Sequence, residues 1–297
     1  MNHITVLKEE AVALLSLTNK SIVIDATYGA GGHARAICSL LGKSGVYIGI
    51  DADKTAFIDS FLVTEKNGPI FHLVHDNFAN VSEIANKLEI PAVDAILADL
   101  GWRTDQFETG GKGFSFSSSD PLTMTYGDGE EYLFTATDIV NGWQEEDIAN
   151  VLYGYAEERY SRRIAHAIVA SRKVKKIETA KELADIVAGA VPKNYRHGKT
   201  NPATKTFQAL RIAVNDELKT LDDFLIASPL LLKPGGVLAV ITFHSLEDRQ
   251  VKLAFRALKE TGEFELLTKK PITATREELQ ENPRARSAKL RVVRKII

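Results

Sequence analysis

Cysteine is almost missing from this chain, and long apolar runs are missing altogether. The single cysteine, Cys38, excludes an intramolecular disulfide, and we expect it to be a small core residue. No stretch approaches the roughly 18 uninterrupted apolar residues that a membrane span needs, and no signal-peptide pattern opens the sequence. Because no Cys/His cluster has the spacing of zinc ligands, we expect no metal site. These absences predict a cytoplasmic protein without a membrane partner.

A large excess of basic charge is missing as well. The 297 residues include 37 Lys or Arg and 39 Asp or Glu, so the net charge is −2 and the whole molecule is not a polycation. Any surface for nucleic acid would have to be local. Three segments rich in Lys and Arg are candidates, with a solvated charged face as the alternative for each: Arg159 to Lys176, Lys193 to Lys199, and Arg284 to Lys295.

The first part of the chain alternates short apolar runs with helical spacing, which is the rhythm of a parallel α/β sheet. Each run ends in an acid or is shortly followed by one. The pairs are residues 22–24 with Asp25, residues 46–50 with Asp51, residues 70–74 with Asp76, and residues 95–98 with Asp99. We therefore predict an α/β fold with a doubly wound, mostly parallel, Rossmann-like sheet.

The pattern changes after the fourth apolar run. Residues 102–132 are rich in Gly, Ser, Thr and Asp around isolated aromatics, which indicates an excursion from the sheet. Residues 136–188 have helical apolar spacing without a convincing strand. We predict a discontinuous core of residues 1–104 and 204–297, interrupted by a mainly helical substrate-recognition subdomain of residues 105–203.

The second half of this core should begin with a helix and return to the sheet. One helical face would carry Phe207, Leu210, Val214, Leu218 and Leu221. A turn at residues 234–236 then precedes a buried strand of residues 237–241, and residues 289–297 would supply a last edge strand.

A glycine-rich turn follows the first predicted strand in the string DATYGAGGH, residues 25–33. Glycines there allow a ligand to approach the backbone at the carboxyl end of a strand, where α/β folds bind nucleotides. Gly29, Gly31 and Ala34 formally satisfy the dinucleotide fingerprint, and Asp51 follows about twenty residues later to hold a ribose. An NAD-dependent oxidoreductase is therefore one interpretation.

Asp25 argues against a dinucleotide, because a carboxylate inside the first turn would repel a pyrophosphate. S-adenosylmethionine carries a sulfonium and an ammonium instead of phosphates, so acids at the ends of the first and fourth strands suit it. Asp51 would then accept hydrogen bonds from the ribose hydroxyls. The alternative is that Asp25, Asp51 and Asp99 merely cap strand ends or helices.

Strings along nearly the whole chain resemble one family. They are HITVL, DATYGAGGH, IGIDAD, DAILADLG, KGFSF, AEERYSRRIAHAI, NPATKTFQALRIAVNDEL, ITFHSLEDRQVK and NPRARSAKLR. The chain resembles the bacterial RsmH family, formerly MraW, whose members methylate N4 of a P-site cytidine in 16S ribosomal RNA. The resemblance implies S-adenosyl-L-methionine as cofactor, and ribosomal RNA or the small ribosomal subunit as partner. It also implies a methyltransferase core with a helical insert, and it leaves a homodimer open.

The resemblance also implies roles for individual residues. Gly31, Gly32 and His33 would line the methionine end of the cofactor. Asp51 would hold the ribose. With the loop residues, the expected cofactor-binding set is Asp25, Gly29, Gly31, Gly32, His33, Asp51, Phe78, Asp99 and Gln106.

Transfer of a methyl group from a sulfonium is an in-line displacement that chiefly needs positioning. Cytosine's amine is a poor nucleophile, and an acceptor aimed at its N–H groups would favour the attacking form. We expect the Asp99 side chain or the Leu100 carbonyl to be that acceptor. His244 is a second catalytic candidate, as a proton acceptor, although a histidine that satisfies backbone groups is an equal alternative.

Aromatic residues of the excursion are candidates for stacking on a flipped base, with loop anchors as the alternative. They are Phe107, Phe114, Phe116 and Tyr126.

The chain departs from the family's pattern near the expected target pocket. The family reads DLGVSS where this chain has DLGWRT at residues 99–104, and PLDMRMD where it has PLTMTYG at residues 121–127. Asn201 replaces the histidine of the family's HPAT motif. A different RNA, DNA or protein target therefore remains an alternative, as does a non-catalytic protein that binds the cofactor.

Overall fold

The computed structural model describes residues 4–58, 68–101, 111–126, 132–198 and 200–297. The chain divides into two compact units. The core unit consists of residues 1–101 and 218–297, and the helical unit consists of residues 102–217.

The core unit is built on a seven-stranded sheet with the order β3-β2-β1-β4-β5-β7-β6. Strands β1 to β5 pair in parallel, whereas β7 runs antiparallel to β5 and β6. The sheet confirms the predicted doubly wound, mostly parallel α/β fold. The strands are β1 (Ile22–Asp25), β2 (Val46–Asp51), β3 (Ile70–His75), β4 (Val93–Asp99), β5 (Leu232–Thr242), β6 (Phe264–Leu266) and β7 (Lys289–Lys295).

Two details of the predicted sheet are wrong. β7 lies between β5 and β6, so the edge strand is the short β6, whose three residues show no pattern that would predict a strand. β5 also begins at Leu232 and contains residues 234–236, which we expected to form a turn before it. Gly235 has a left-handed φ of 83°, and the register with β4 shifts between Val93 and Ala95, so the Pro-Gly-Gly sequence forms an irregularity inside the strand.

Among the described residues, α-helices pack on both faces of the sheet in the core unit, and others form the helical unit. They are α1 (Lys8–Leu14), α2 (Gly32–Leu40), α3 (Val81–Lys87), α4 (Ala136–Gly142), α5 (Glu145–Ala156), α6 (Ser161–Arg172), α7 (Ala180–Ala190), α8 (Lys193–Arg196), α9 (Thr204–Val214), α10 (Glu217–Ala227), α11 (Ser245–Glu260) and α12 (Arg276–Glu281). Within the described ranges, none of them has the length and apolar character needed to span a bilayer.

Successive side chains of each strand point to opposite faces of the sheet, so the hydrophobic core of this unit consists of two layers, one on each face. Val23 and Leu97 point into the layer that contains residues of α1 and α2. Ile24 and Ile96 point into the opposite layer, with residues of α3, α10 and α11. Cys38 is a small buried residue of the first layer, as predicted.

The helical unit has its own hydrophobic core, formed by residues of α4 to α9. Two of its helices begin with complete capping boxes, at Thr135 with Asp138 and at Thr179 with Glu182. The single helix expected over residues 207–221 is wrong. It breaks into α9 and α10 after Val214, because Asp216 takes a left-handed φ of 47°.

The predicted boundary at residue 203 also differs from that of the structure. Phe207 and Leu210 of α9 belong to the same hydrophobic cluster as Ile148 and Leu152 of α5, so α9 is part of the helical unit and the boundary falls after Glu217. The other predicted boundary, at residue 104, lies outside the described residues.

Candidate functional site

Three of the predicted acids lie at one edge of the sheet. Asp25, Asp51 and Asp99 are the last residues of β1, β2 and β4. These strands are parallel neighbours, so their carboxyl ends meet at the same edge. The order of the sheet reverses between β1 and β4, and such a switch point is where open α/β sheets bind ligands.

Asp25 is completely buried at this edge. Its Oδ2 accepts a hydrogen bond of 2.7 Å from the Tyr47 hydroxyl, and its Oδ1 accepts one of 3.4 Å from the Thr27 N–H. Burial raises the pKa of Asp25 to about 7, against the effect of these hydrogen bonds. Asp25 is therefore a fully buried acid at the start of the glycine turn, and it accepts a hydrogen bond from the backbone of that turn.

Backbone hydrogen bonds attach the glycine turn to both neighbouring strands. The Ala26 N–H donates to the Leu97 carbonyl of β4, and the Tyr28 N–H donates to the Ile50 carbonyl of β2, each at 2.8 Å. Gly31, with a φ of 73°, is the N-cap of α2, and this left-handed conformation favours glycine. The turn therefore has a fixed position above the sheet edge.

Asp51 joins the turn to the next strand. Its Oδ2 accepts a 2.7 Å hydrogen bond from the Gly29 N–H, and its Oδ1 accepts one of 2.8 Å from the Asp53 N–H. The carboxylate is half-buried, and each oxygen has a second lone pair. These two hydrogen bonds hold the carboxylate in one orientation beside the glycine turn, and a carboxylate is an acceptor suited to the hydroxyls of a ribose.

Asp99 and His33 form a second polar pair at this edge. The Asp99 N–H donates to the Thr27 hydroxyl at 2.6 Å, and His33 Nδ1 lies 3.5 Å from Asp99 Oδ2. The other oxygen, Oδ1, is buried and has no hydrogen-bond partner among the residues that the structure describes. Burial, and then the nearby charges of Asp25 and Glu247, raise the pKa of Asp99 to about 8.

The first described residues form a wall against the glycine turn, which we name the N-terminal strap (residues 4–7). The Thr5 side chain fills the space that a Cβ at position 32 would need, so only glycine fits beside it. The Leu7 N–H donates to Glu278 Oε1 at 2.7 Å, and Asn282 Nδ2 donates to the Ile4 carbonyl at 3.0 Å. Hydrogen bonds with Glu278 of α12 and with Asn282, the residue after that helix, therefore hold the strap in place.

Sequence reasoning assigned no role to Thr5, Glu278 and Asn282. The sequence offers an indirect signal for Thr5 and Asn282, which lie in the strings HITVL and NPRARSAKLR that carry the family resemblance, whereas Glu278 lies in neither string.

His244 is the N-cap of α11. Its Nδ1 accepts from the Glu247 N–H at 3.4 Å, and its Nε2 lies 3.1 Å from Glu247 Oε1. Glu247 Oε2 in turn accepts from the N–H groups of Phe243 and His244. This geometry favours the interpretation of His244 as a residue that satisfies backbone groups, and its role as a proton acceptor stays a prediction.

The remaining candidates have different positions. Phe78 is half-buried after β3 and packs edge-to-face on Phe224, with ring centroids 5.3 Å apart. Gln106, together with Phe107, lies outside the described residues.

In the helical unit, Phe114 is buried and stacks on Tyr126, whose hydroxyl donates to Glu217 Oε1 at 2.7 Å. These two rings are anchors in this structure. Phe116, which packs edge-to-face on Phe207, is the more exposed aromatic of the excursion's described part.

The residues at the sheet edge fit a cationic nucleoside. Asp51 presents acceptors suited to a ribose. Asp99 Oδ1 has no hydrogen-bond partner among the described residues, and the charge of Asp25 contributes to the raised pKa of Asp99. Burial raises the pKa of Asp25 more than its hydrogen bonds lower it. Cationic groups would stabilise both carboxylates, whereas a pyrophosphate would raise their pKa values further. This fold and site define a methyltransferase that uses S-adenosyl-L-methionine.

Comparison with known proteins identifies the family. The model of the MraW methylase family matches residues 1 to 296, and the chain belongs to this family. Relatives called "Ribosomal RNA small subunit methyltransferase H" include those of Afipia carboxidovorans, 44% identical over 97% of this chain and 89% of the relative, and Trichodesmium erythraeum, 43% identical over the full length of both. That of Persephonella marina is 42% identical, also over the full length of both.

Substitution Asp25→Asn should flatten the pH dependence of stability. Folded Asp25 keeps its proton up to about pH 7, whereas the unfolded carboxyl loses it near its ordinary pKa of 3.8. Between these values the folded state binds more protons, so this group lowers the free energy of unfolding by up to about 1.4 kcal/mol per pH unit as pH rises. Urea unfolding at several pH values in this range should show that the free energy of unfolding of the variant rises relative to that of the wild type as pH increases.

The exposed Asp223→Asn is the control, because its carboxylate pairs with Lys219 on the surface of α10. Parallel pH profiles of the Asp25 variant and the wild type would contradict the prediction.

Substitution Asn282→Ala should weaken cofactor binding, because it releases the strap that packs on Gly32. We expect the Kd for S-adenosylhomocysteine, measured by calorimetry, to rise about fivefold, the equivalent of one hydrogen bond. Asn86→Ala, on the exposed surface of α3, should leave it unchanged. A lower melting temperature with an unaltered Kd would show that Asn282 serves stability alone.

Proposed function

We propose that this chain methylates N4 of the P-site cytidine in 16S ribosomal RNA, with S-adenosyl-L-methionine as the methyl donor. The observation that carries the proposal is the Asp99 carboxylate at the switch point of the sheet, which has one oxygen fixed beside His33 and the other without a partner among the described residues. The names of the relatives support a small-subunit ribosomal RNA target. The family resemblance supports the cytidine and its N4.

The proposed chemistry places few demands on the protein. When bound, S-adenosyl-L-methionine supplies an electrophilic methyl group on a sulfonium. The chain has to hold the amine about 3 Å from that carbon and to exclude water. No covalent link to the protein is needed.

Asp99 is the proposed catalytic residue. The lone pair of a cytosine amine is delocalised into the ring, so an acceptor at its N–H makes the nitrogen a better nucleophile. Asp99 Oδ1 supplies that acceptor in its ionised form, which a bound sulfonium favours, and the same oxygen can take up the proton that the amine loses. The Leu100 carbonyl is the alternative acceptor, and His244 a further candidate for the proton.

The other residues position the cofactor. We assign the ribose to Asp51 and the methionine end to the turn at Gly29, Gly31, Gly32 and His33. Asp25 contributes negative charge at the start of the turn, and Phe78 and Gln106 stay predictions as members of the pocket.

The alternative proposal is the same chemistry on another target, because the chain differs from the family at residues 102–104 and 121–127. The described part of these differences has a structural account within the helical unit. Thr125 is buried, and Tyr126 is held by the side chains of Asn215 and Glu217. Asn201 Oδ1 accepts from the Ala203 N–H at 2.8 Å, just before α9. These contacts explain the changed residues by packing, which favours an unchanged target.

Labelled methyl transfer tests the proposal. Small ribosomal subunits that lack their own cytidine methylation should gain label on N4 of the P-site cytidine with the wild-type protein. Asp99→Ala should lower the rate about 100-fold to 1,000-fold, as loss of a preorganised polar group does. Asp99→Asn keeps an acceptor but cannot hold the proton, so its rate should fall between the two.

The matched control is Asp223→Asn, which should retain full activity. Label on another nucleotide would replace the target, and no label despite measurable cofactor binding would favour the non-catalytic alternative.

Cofactor affinity should depend on pH with a defined sign. The cationic sulfonium favours the ionised forms of Asp25 and Asp99, whose pKa values are about 7 and about 8, so binding releases protons below these values. Affinity for S-adenosylmethionine should rise with pH by up to about tenfold per pH unit for each of these carboxyls that is still protonated, and it should level off above pH 8. Calorimetry in buffers of different ionisation enthalpy measures both effects.

S-adenosylhomocysteine is the matched ligand, because it lacks the sulfonium charge, and its affinity should rise less with pH. The same pH profile for both ligands would show that the two carboxyls do not sense that charge.

A further inference from the structure

Three cations of the third basic segment, residues 284–295, are paired with acids of the core unit. Arg291 Nε donates to Asp248 Oδ1 at 2.7 Å, and Lys289 Nζ donates to Asp248 Oδ2 at 3.0 Å. Arg294 lies 3.4 Å from Glu265 Oε1 on the neighbouring strand. Hydrogen bonds from the two cations outweigh burial and hold the pKa of Asp248 below its usual value. Much of this segment's charge therefore serves the fold.

The other two basic segments meet in the helical unit. The guanidinium carbon of Arg159 lies 4.8 Å from the ring centroid of Tyr160 and 5.0 Å from that of Tyr195. The two rings contact each other edge-to-face, with centroids 5.1 Å apart. We name this cluster of Arg159, Tyr160 and Tyr195 the guanidinium platform.

A buried acid holds the platform from below. Glu158 is completely buried, and its two oxygens accept 2.6 Å and 2.8 Å hydrogen bonds from the Tyr195 hydroxyl and the Tyr160 N–H. Burial, and then this contact with Glu158, raise the pKa of Tyr195 above its ordinary value, so the phenol stays a donor. The rings are thus fixed before any partner arrives.

The charges around the platform face solvent. Arg159, Arg162 and Arg163 are exposed, and in the part of the chain that the structure describes none of them forms an ion pair with an acid. Lys205 lies beside them, with its Nζ donating to the Glu157 carbonyl at 3.0 Å. The exposed side chain of Glu157 is the acid next to the cluster in sequence.

We propose that the guanidinium platform is an RNA-docking site of the helical unit, which stacks on an unpaired base while Arg162 and Arg163 contact phosphates. A planar guanidinium stacked on aromatic rings binds bases by their faces, and unpaired bases in RNA loops expose those faces. This inference rests on the proposed function, because it names where the RNA substrate binds.

Binding of a fluorescently labelled single-stranded RNA from the small-subunit P-site region tests the platform. Arg159→Ala should weaken binding about tenfold, as expected for loss of one stacking contact, and should leave most of the slope of log Kd against log salt, which the phosphate contacts of Arg162 and Arg163 determine. Arg159→Lys keeps the charge but not the planar group, so it should restore only part of the affinity, at the salt slope of the wild type.

Arg294→Ala is the matched control, because it removes the same charge from a residue paired with Glu265. It should leave RNA affinity near that of the wild type. The Kd for S-adenosylhomocysteine and the melting temperature should be unchanged in all three variants, which separates lost docking from lost folding. If the alanine variant does not fold, the lysine variant alone decides, through its lower affinity at an equal salt slope.

The outcomes distinguish this inference from the proposed function. Wild-type protein that neither binds the RNA nor methylates subunits overturns the proposed function. Wild-type protein that does both, with Arg159→Ala binding equally well, overturns only the platform. Loss of subunit binding by Arg159→Ala with no loss of RNA binding would assign the platform to a protein partner instead.

Discussion

The desolvation of carboxylates at one edge of the sheet is the constraint on which the rest of the site depends. Asp25 ends β1 with no exposed surface, and its only side-chain donor is the hydroxyl of Tyr47 from the neighbouring strand among the hydrogen bonds of the described residues. Its charge then contributes to the raised pKa of Asp99. A cation that binds beside these carboxylates stabilises their ionised forms, because its charge compensates for the hydration that they lost on folding. The glycine turn adds shape to this electrostatic preference.

The residues that sequence could assign to the site are those whose neighbours in space are also neighbours in sequence or in strand order. The local sequence pattern predicts the turn from Asp25 to His33. The parallel order of the strands predicts that the acids at the ends of β2 and β4 lie beside it. The strap does not, because Leu7 and its partner Glu278 are 271 positions apart. The same limit applies to the sheet: the position of β7 between β5 and β6 depends on long-range pairing, and β6 is too short for a periodic pattern.

Helix ends account for the other differences. A run of apolar residues at helical spacing predicts one helix over 207–221, but a single left-handed residue, Asp216, divides it while the spacing continues on both sides. His244 shows the converse, since an imidazole can replace a Ser or Asp as a helix cap, and the sequence alone does not distinguish a cap from a catalytic group. Residues that differ from the family's pattern, such as Tyr126, likewise make contacts that the local sequence does not reveal. The Tyr126 N–H donates to the side chain of Asn215, which is 89 positions away.

The contact between the strap and residues 278–282 sets an order of events during synthesis. The strap is made well before its partners Glu278 and Asn282, because Leu7 and Glu278 are 271 positions apart. Domains fold as they emerge, N-terminal parts first, so the glycine turn forms before the wall beside it can be fixed. A chain shortened before residue 278 therefore lacks the hydrogen bonds that hold the strap beside the glycine turn.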